Sequence, residues 1–235
     1  MKKSLTLAVF AVIGSIFAAD LSNNLLFEAD YSKGSPTPTV AKGSTKYKTL
    51  LSSKPLFKDG GLVVGPESAS LRYEVAGNIA PKEGTIEIFL KNLDYQMDDG
   101  KTHAYFSCNC PNSLVYIYKY SKDGLGGCFV VNDGKTKKTY FPRQMMRDID
   151  PEPEFRHIVI TYSPDSYACY VDGQLCREIE GEVECNFVGK EFVVGPNSNR
   201  WRIANTLIRF VRTYDRALAE SEIAQLAAEA KKTVK

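Results

Sequence analysis

Phe155-Arg156-His157-Ile158-Val159-Ile160-Thr161-Tyr162 and, after Ser163 to Ser166, the run Tyr167-Ala168-Cys169-Tyr170-Val171-Asp172-Gly173-Gln174-Leu175-Cys176 decide the fold of this chain. Both are rich in β-branched and aromatic residues, which suit a half-buried pleated strand. Asp172-Gly173 is a two-residue hairpin signal, because a type I′ turn needs φ > 0, which Gly supplies and Asp tolerates. Working outward, Leu25–Tyr31, Gly61–Val64, Ser70–Val75, Gly84–Lys91, His103–Cys108, Leu114–Tyr120, Gly127–Val131, Glu191–Gly195 and Asn205–Tyr214 read as further strands. Residues 32–53 are rich in Gly, Pro, Ser, Thr and Lys and predict a long loop with at most short strands. Roughly a dozen strands without a βαβ rhythm predict an all-β, two-sheet antiparallel sandwich. The period changes only at the end. Ile223, Leu226, Ala227 and Ala230 follow helical spacing, with Glu220 and Glu222 in the first turn and Lys231 and Lys232 in the last, so a short C-terminal helix should close the chain.

The N-terminus reads as a secretory signal. Lys2 and Lys3 precede the apolar run Leu5 to Phe17, and Ala18 and Ala19 precede Asp20. That run is too short to span a bilayer, which takes about 20 apolar residues. Cleavage after Ala18 or Ala19 leaves a mature chain from about residue 20, read as one domain over 20–235, without a membrane span and destined for secretion, the periplasm or the cell surface. The whole chain has 30 Lys+Arg and 28 Asp+Glu; removing Lys2 and Lys3 leaves 28 against 28, a net of zero. A neutral domain lacks the positive field on which nucleic-acid affinity depends.

All six cysteines (Cys108, Cys110, Cys128, Cys169, Cys176 and Cys185) lie in the mature part, and an even count in an exported chain favours disulfides. Counting back from the Asp172-Gly173 loop sets Cys169 opposite Cys176. The pair falls at a hydrogen-bonded position, where the Cα atoms stand further apart, so a bridge and two packed thiols both remain open.

Three ordered segments resemble the laminin-G-like jelly-roll domains of the concanavalin A-like lectin/glucanase superfamily. Gly84-Thr85-Ile86-Glu87-Ile88-Phe89-Leu90-Lys91 resembles their "GTIxxWVKP" strand. The hairpin region from Phe155 to Leu175 resembles "WHHVAVTYDGxxxxLYVDGxLV". Phe192 to Gly195, then Leu207 to Leu218 with Glu222-Ile223, resembles "LxIGG…GxIDEVRIYxRALSxxEI". The resemblance implies a jelly-roll sandwich, and members that bind sugars, mediate adhesion or accompany polysaccharide enzymes; fold alone does not choose among these.

Calcium is bound by many members. Here the acid of the "IDE" place is Arg209, which counts against a site there, and Asp30 remains the one possible oxygen ligand, although an Asp before a Gly-containing loop also makes local turn bonds. No other cofactor is expected. Glycosidase chemistry needs two carboxylates flanking the bond. No "ExDxxE" motif is present, and Asp148, Asp150, Glu152 and Glu154 alternate with Pro151 and Pro153 in what reads as a solvated loop, so no enzyme is expected. His157 reads as structural, and His103 has no evident partner. Aromatics carry the functional expectation: 13 Tyr, 12 Phe and one Trp, because sugar rings stack on aromatic faces. Tyr116, Tyr118 and Tyr120 alternate and therefore share one face, either a solvent-facing platform or core; the intervening Ile117 and Lys119 favour a core or mixed face. Trp201 with Asn197, Asn199 and Arg200 is the second candidate sugar contact; the competing reading is a Trp that pins this loop to the sheet. The expected partner is a glycan or, in the competing reading, an envelope protein.

Overall fold

The computed structural model describes residues 17–52, 54–95, 99–110, 113–119, 125–132, 137–140, 155–180 and 189–234. Residues 1–16 of the expected signal, Tyr120, the acidic segment 148–154, Glu182, Glu184 and Cys185 lie outside the described residues. The chain begins with helix α1 (Phe17–Asn24) and strands β1 (Leu25–Asp30), β2 (Val40–Ala41), β3 (Tyr47–Leu50), β4 (Leu56–Lys58), β5 (Gly61–Val64), β6 (Ser70–Glu74), β7 (Gly84–Asn92) and β8 (His103–Cys110). It continues with β9 (Ser113–Lys119), β10 (Leu125–Asn132), β11 (Lys137–Tyr140), β12 (Arg156–Tyr162), β13 (Ser166–Val171), β14 (Gln174–Glu180), β15 (Glu191–Val194), β16 (Thr206–Tyr214) and helix α2 (Glu220–Lys232). The expected strands are all present; β4 and β11 are additions.

The strands form two antiparallel sheets. The first runs β14-β13-β12-β7-β16-β1-β2, with β5 also on β16 and β4 on β5; the second runs β11-β10-β9-β8-β15-β6-β3. Alternate residues of both sheets meet in one core, including Phe27, Ile86, Ile88, Ile158 and Ile160 from the first and Leu71, Tyr73, Phe106, Ile117 and Phe192 from the second. Phe27 packs edge-on to Tyr73 at 5.0 Å and to Phe192 at 5.2 Å, so aromatic contacts join the two layers. The fold is thus the expected jelly-roll sandwich with a C-terminal helix.

The hairpin turns at Asp172 and Gly173, whose φ values are 52° and 83°. A Cβ on Gly173 would also lie 3.1 Å from Ala224 and from Ala227 of α2, so glycine serves both the turn and the helix packing. The register departs from expectation one step further on. Tyr170 pairs with Leu175, but a bulge then sets Cys169 opposite Arg177. Cys176 is the extra residue, so the two cysteines do not face each other; Cys108, Cys169 and Cys176 are not disulfide-bonded.

Helix α2 covers the outer face of the first sheet. Ile223 and Leu226 pack with Val159, Ala168, Tyr170, Tyr214 and Leu218, and Leu21 of α1 joins them. Helix α1 spans the expected cleavage point, and no described helix is long and apolar enough to cross a membrane. Glu222 accepts the Ala219 N–H at 2.8 Å and holds Arg216 by two bonds of 2.8 Å, which fixes the start of α2. Glu87 and His157 are fully buried on this face of the sheet. His157 Nε2 lies 2.8 Å from Glu87 Oε1, and the Tyr214 hydroxyl donates to Glu87 Oε2 at 2.7 Å. Burial works to raise the Glu87 carboxyl, but the His157, Arg212 and Tyr214 contacts outweigh it and hold it below the usual range. His157 is structural, as its strand position suggested.

Candidate functional site

The second sheet has no helix over its outer face among the described residues. Across its strands Lys48 pairs with Arg72, Arg72 with Val193, Val193 with Ser107, and Ser107 with Tyr116. Their chain neighbours Leu71, Tyr73, Phe192, Val194, Phe106, Cys108, Val115 and Ile117 all lie in the core. By the two-residue period of a strand, the row itself therefore faces outward; its members Ser107 and Val193 are nevertheless buried, and Tyr116 and Arg72 on either side of them are half-buried.

The tyrosines of β9, expected on a core or mixed face, divide: Tyr118 is buried and Tyr116 half-buried. Ile117 enters the core, and Lys119, the other intervening residue, is also fully buried. It can be, because its ammonium bonds Asp99 and donates to the Lys101 carbonyl at 3.0 Å. Both intervening positions point in, so Tyr116 and Tyr118 point out. The same cluster corrects the view of His103 as partnerless. Its Nε2 lies 2.7 Å from Asp99, and its ring stacks on Tyr95 at 3.8 Å. Burial drives the His103 pKa down, against the pull of Asp99.

Trp201 lies over this tyrosine pair. Its ring centroid is 5.0 Å from Tyr116 and 6.4 Å from Tyr118, and the tyrosines meet edge to face at 6.3 Å. Tyr118 is buried in the process, while Tyr116 and Trp201 remain half-buried. The loop that carries Trp201 is clamped along its length. Ser70 donates to the Pro196 carbonyl at 2.8 Å. Arg202 donates to the carbonyls of Gly65, Leu51 and Ser68 at 2.7, 2.9 and 3.1 Å. Asn205 donates twice to Asp94, at 2.6 and 2.7 Å. Gly195 starts the loop at φ 101°, and any Cβ there would lie 2.7 Å from Ser70 Oγ. The wall is thus preorganised by backbone anchors rather than by the tryptophan itself.

Asn197 links this wall to a groove: its amide donates to the Tyr116 hydroxyl at 3.2 Å, and it also lines an open cavity of about 500 Å³ together with Arg72, Asn109, Lys190, Glu191 and Val193. A second depression, of about 530 Å³, continues past Arg72 and Glu191 to Lys46, Tyr47 and Lys48. Lys48 and Arg72 each bond Glu191 at 3.0 Å. Partial burial works to raise the Glu191 carboxyl, but these two cations outweigh it and hold it below the usual range. Among the described residues, the Asn109 amide, the Trp201 indole N–H and the remaining Arg72 nitrogens have no hydrogen-bond partner.

Of the residues expected to bind, the structure brings Asn197, Tyr116, Tyr118 and Trp201 together. Asn199 and Arg200 are exposed on the same loop and line neither cavity. Sequence reasoning missed Arg72, Asn109, Lys190 and Glu191, which pairing between distant strands assembles. Asp30 lies elsewhere: it accepts the Ser32 N–H at 3.0 Å and faces the Lys33 ammonium at 3.9 Å. Among the described residues no three His, Cys, Asp or Glu side chains cluster. Arg209, in the place of the family's acid, donates to the Gly60 and Thr233 carbonyls at 2.7 and 3.2 Å, tying the end of α2 to the β4–β5 turn.

Two stacked antiparallel sheets with one C-terminal helix define a jelly-roll sandwich. The chain belongs to the concanavalin A-like lectin/glucanases superfamily, whose laminin-G model matches residues 68–224. Comparison with curated proteins gives no match. Among solved structures, the chain is similar to the binding domain of botulinum neurotoxin serotype D, at 10% identity and TM-score 0.70, over 91% of this chain and 52% of that one. A serotype D ligand binding domain in complex with N-acetylneuraminic acid matches at 11% identity and TM-score 0.68, over 91% and 52%. The binding domain of neurotoxin DC in complex with SialylT matches at 12% and TM-score 0.68, over 89% and 52%. The chain therefore spans about half the length of these structures, and at such identities the likeness is one of fold.

Proposed function

We propose that this chain is an exported carbohydrate-binding, lectin-like module without catalytic activity. One observation carries the reading: a half-buried Trp201–Tyr116 wall adjoins a groove in which, among the described residues, the Asn109 amide and all but one of the Arg72 guanidinium nitrogens lack protein partners. Aromatic faces receive the apolar side of a sugar ring, while amides and cations bond its hydroxyls, and such convergence of apolar wall and unpaired polar groups marks a ligand site. The superfamily and the glycan-bound neighbours are consistent with it. The carboxylates among the described lining residues of the two depressions are Glu74 and Glu191; Glu191 is neutralised by Lys48 and Arg72, so one of the two is tied up, whereas glycoside hydrolysis uses both members of a carboxylate pair. Export rests on reading residues 1–19 as a signal, with residues 20–235 forming one domain at the cell surface, in the periplasm or outside.

A glycan array with the wild type and Trp201→Ala tests the function. Binding by the wild type that the variant loses supports it. Absence of any bound glycan at millimolar sensitivity, with an envelope protein captured instead, would replace it with protein docking.

A further inference from the structure

The groove has two unlike ends. At one end Tyr116 and Trp201 present half-buried rings beside the Asn197 side chain, with Tyr118 buried beneath them. At the other, the two adjoining depressions are lined by Lys46, Lys48, Arg72 and Lys190 against Glu74 and Glu191, four cations to two carboxylates. Arg72 sits where the depressions meet. Its side chain is 33% exposed, and only one of its terminal nitrogens is engaged, by Glu191. The remaining edge of the guanidinium is planar, charged and offered to the groove, a geometry suited to a carboxylate or sulfate. Glu191 does not repel such a group strongly, since Lys48 shares its charge.

From Tyr116 to Arg72 the row crosses β9, β8, β15 and β6, three strand spacings or about 14 Å. A single sugar ring on Trp201 cannot reach Arg72 over that distance. Resting on the glycan-binding reading, we infer that the ligand is an acidic oligosaccharide, bound along the row with a neutral ring on Trp201 and Tyr116 and a carboxylate or sulfate on Arg72. The strands supply both ends from one rigid surface, so spacing along the ligand, not only its charge, selects it.

The test compares neutral, uronate-bearing and sulfated oligosaccharides of graded length with the wild type, Arg72→Ala, Arg72→Gln and, as a control, Lys82→Ala. Lys82 is exposed and lies outside the groove. Melting curves establish that each variant folds; Arg72→Gln keeps much of the side-chain stem should alanine disturb the sheet. The expected result is that acidic chains bind better than neutral ones and better than acidic disaccharides, and weaken as salt rises. Both Arg72 variants should lose about tenfold or more for acidic chains, while Lys82→Ala binds like the wild type. A preference between uronate and sulfate identifies the anion. Neutral glycans bound equally well, with affinity indifferent to Arg72 and to salt, would overturn the inference and leave glycan binding standing. No binding to any class would remove the glycan reading itself.

Discussion

The outer faces of the two sheets began from the same strand alternation and ended differently. On the first sheet, the outward carboxylate near the centre is consumed internally: Glu87 is held by His157, Tyr214 and Arg212, with His157 Nδ1 left buried without a partner, and α2 lays Ile223 and Leu226 over the neighbouring residues. On the second sheet, Arg72, Asn109 and Asn197 retain bonding capacity, and among the described residues no helix lies above Trp201 and Tyr116. In the proposed reading the contrast separates polarity that holds the fold from polarity available to a ligand. Satisfied and covered groups stabilise; those with spare bonding capacity beside an aromatic wall would bind the glycan.

Breaking the closed face should give the largest effect. Glu87→Ala leaves His157, Arg212 and the Tyr214 hydroxyl buried around a missing acceptor, and should cost about 3–5 kcal/mol in chemical denaturation. Ile223→Ala, which removes a fully buried side chain under α2, should cost about 2–5 kcal/mol. On the open face the balance inverts. Tyr116→Ala and Trp201→Ala should weaken glycan binding about tenfold or more, read by calorimetry, with less stability lost than in Glu87→Ala.

Acid sharpens the same comparison. Glu87, Asp99 and Glu222 are all held below their ordinary values, Asp99 by Lys119 against its partial burial and Glu222 by Arg216. Groups lowered in the folded state contribute stability above their unfolded pKa and lose it as pH falls toward the folded one. His103, lowered by burial from 6.5, acts in the same direction, because folding favours its neutral ring. Melting temperature should therefore begin to decline below about pH 6.5 and fall more steeply below about 4.5. A melting temperature that rises on acidification would contradict these assignments. The smallest effect belongs to the hairpin bulge: Cys176→Ser should change stability by no more than about 0.5 kcal/mol in chemical denaturation.

The closed face was largely legible in the sequence. Helical spacing at Ile223, Leu226, Ala227 and Ala230 announced α2, and Asp172-Gly173 announced the turn it packs against. The open face was legible only in part. Trp201 and Asn197 share one short loop, and Tyr116 and Tyr118 share one strand, so local pattern reached them. The direction of β9 stayed open because a lysine at an inward position looks like a solvent-facing one; only Asp99, on a turn twenty residues away, makes Lys119 an interior residue. Arg72 and Glu191 are 119 residues apart, and nothing local marks them as partners. The bulge at Cys176 was equally invisible, because turn counting assumes an unbroken ladder.

Trp201 is the chain's one tryptophan, so intrinsic fluorescence reports the wall without labelling. Titrating a glycan identified on the array into the wild type should give a saturable change in Trp201 emission, with the same dissociation constant as calorimetry. A glycan that binds by calorimetry yet leaves that emission unchanged would place the site elsewhere and contradict the account.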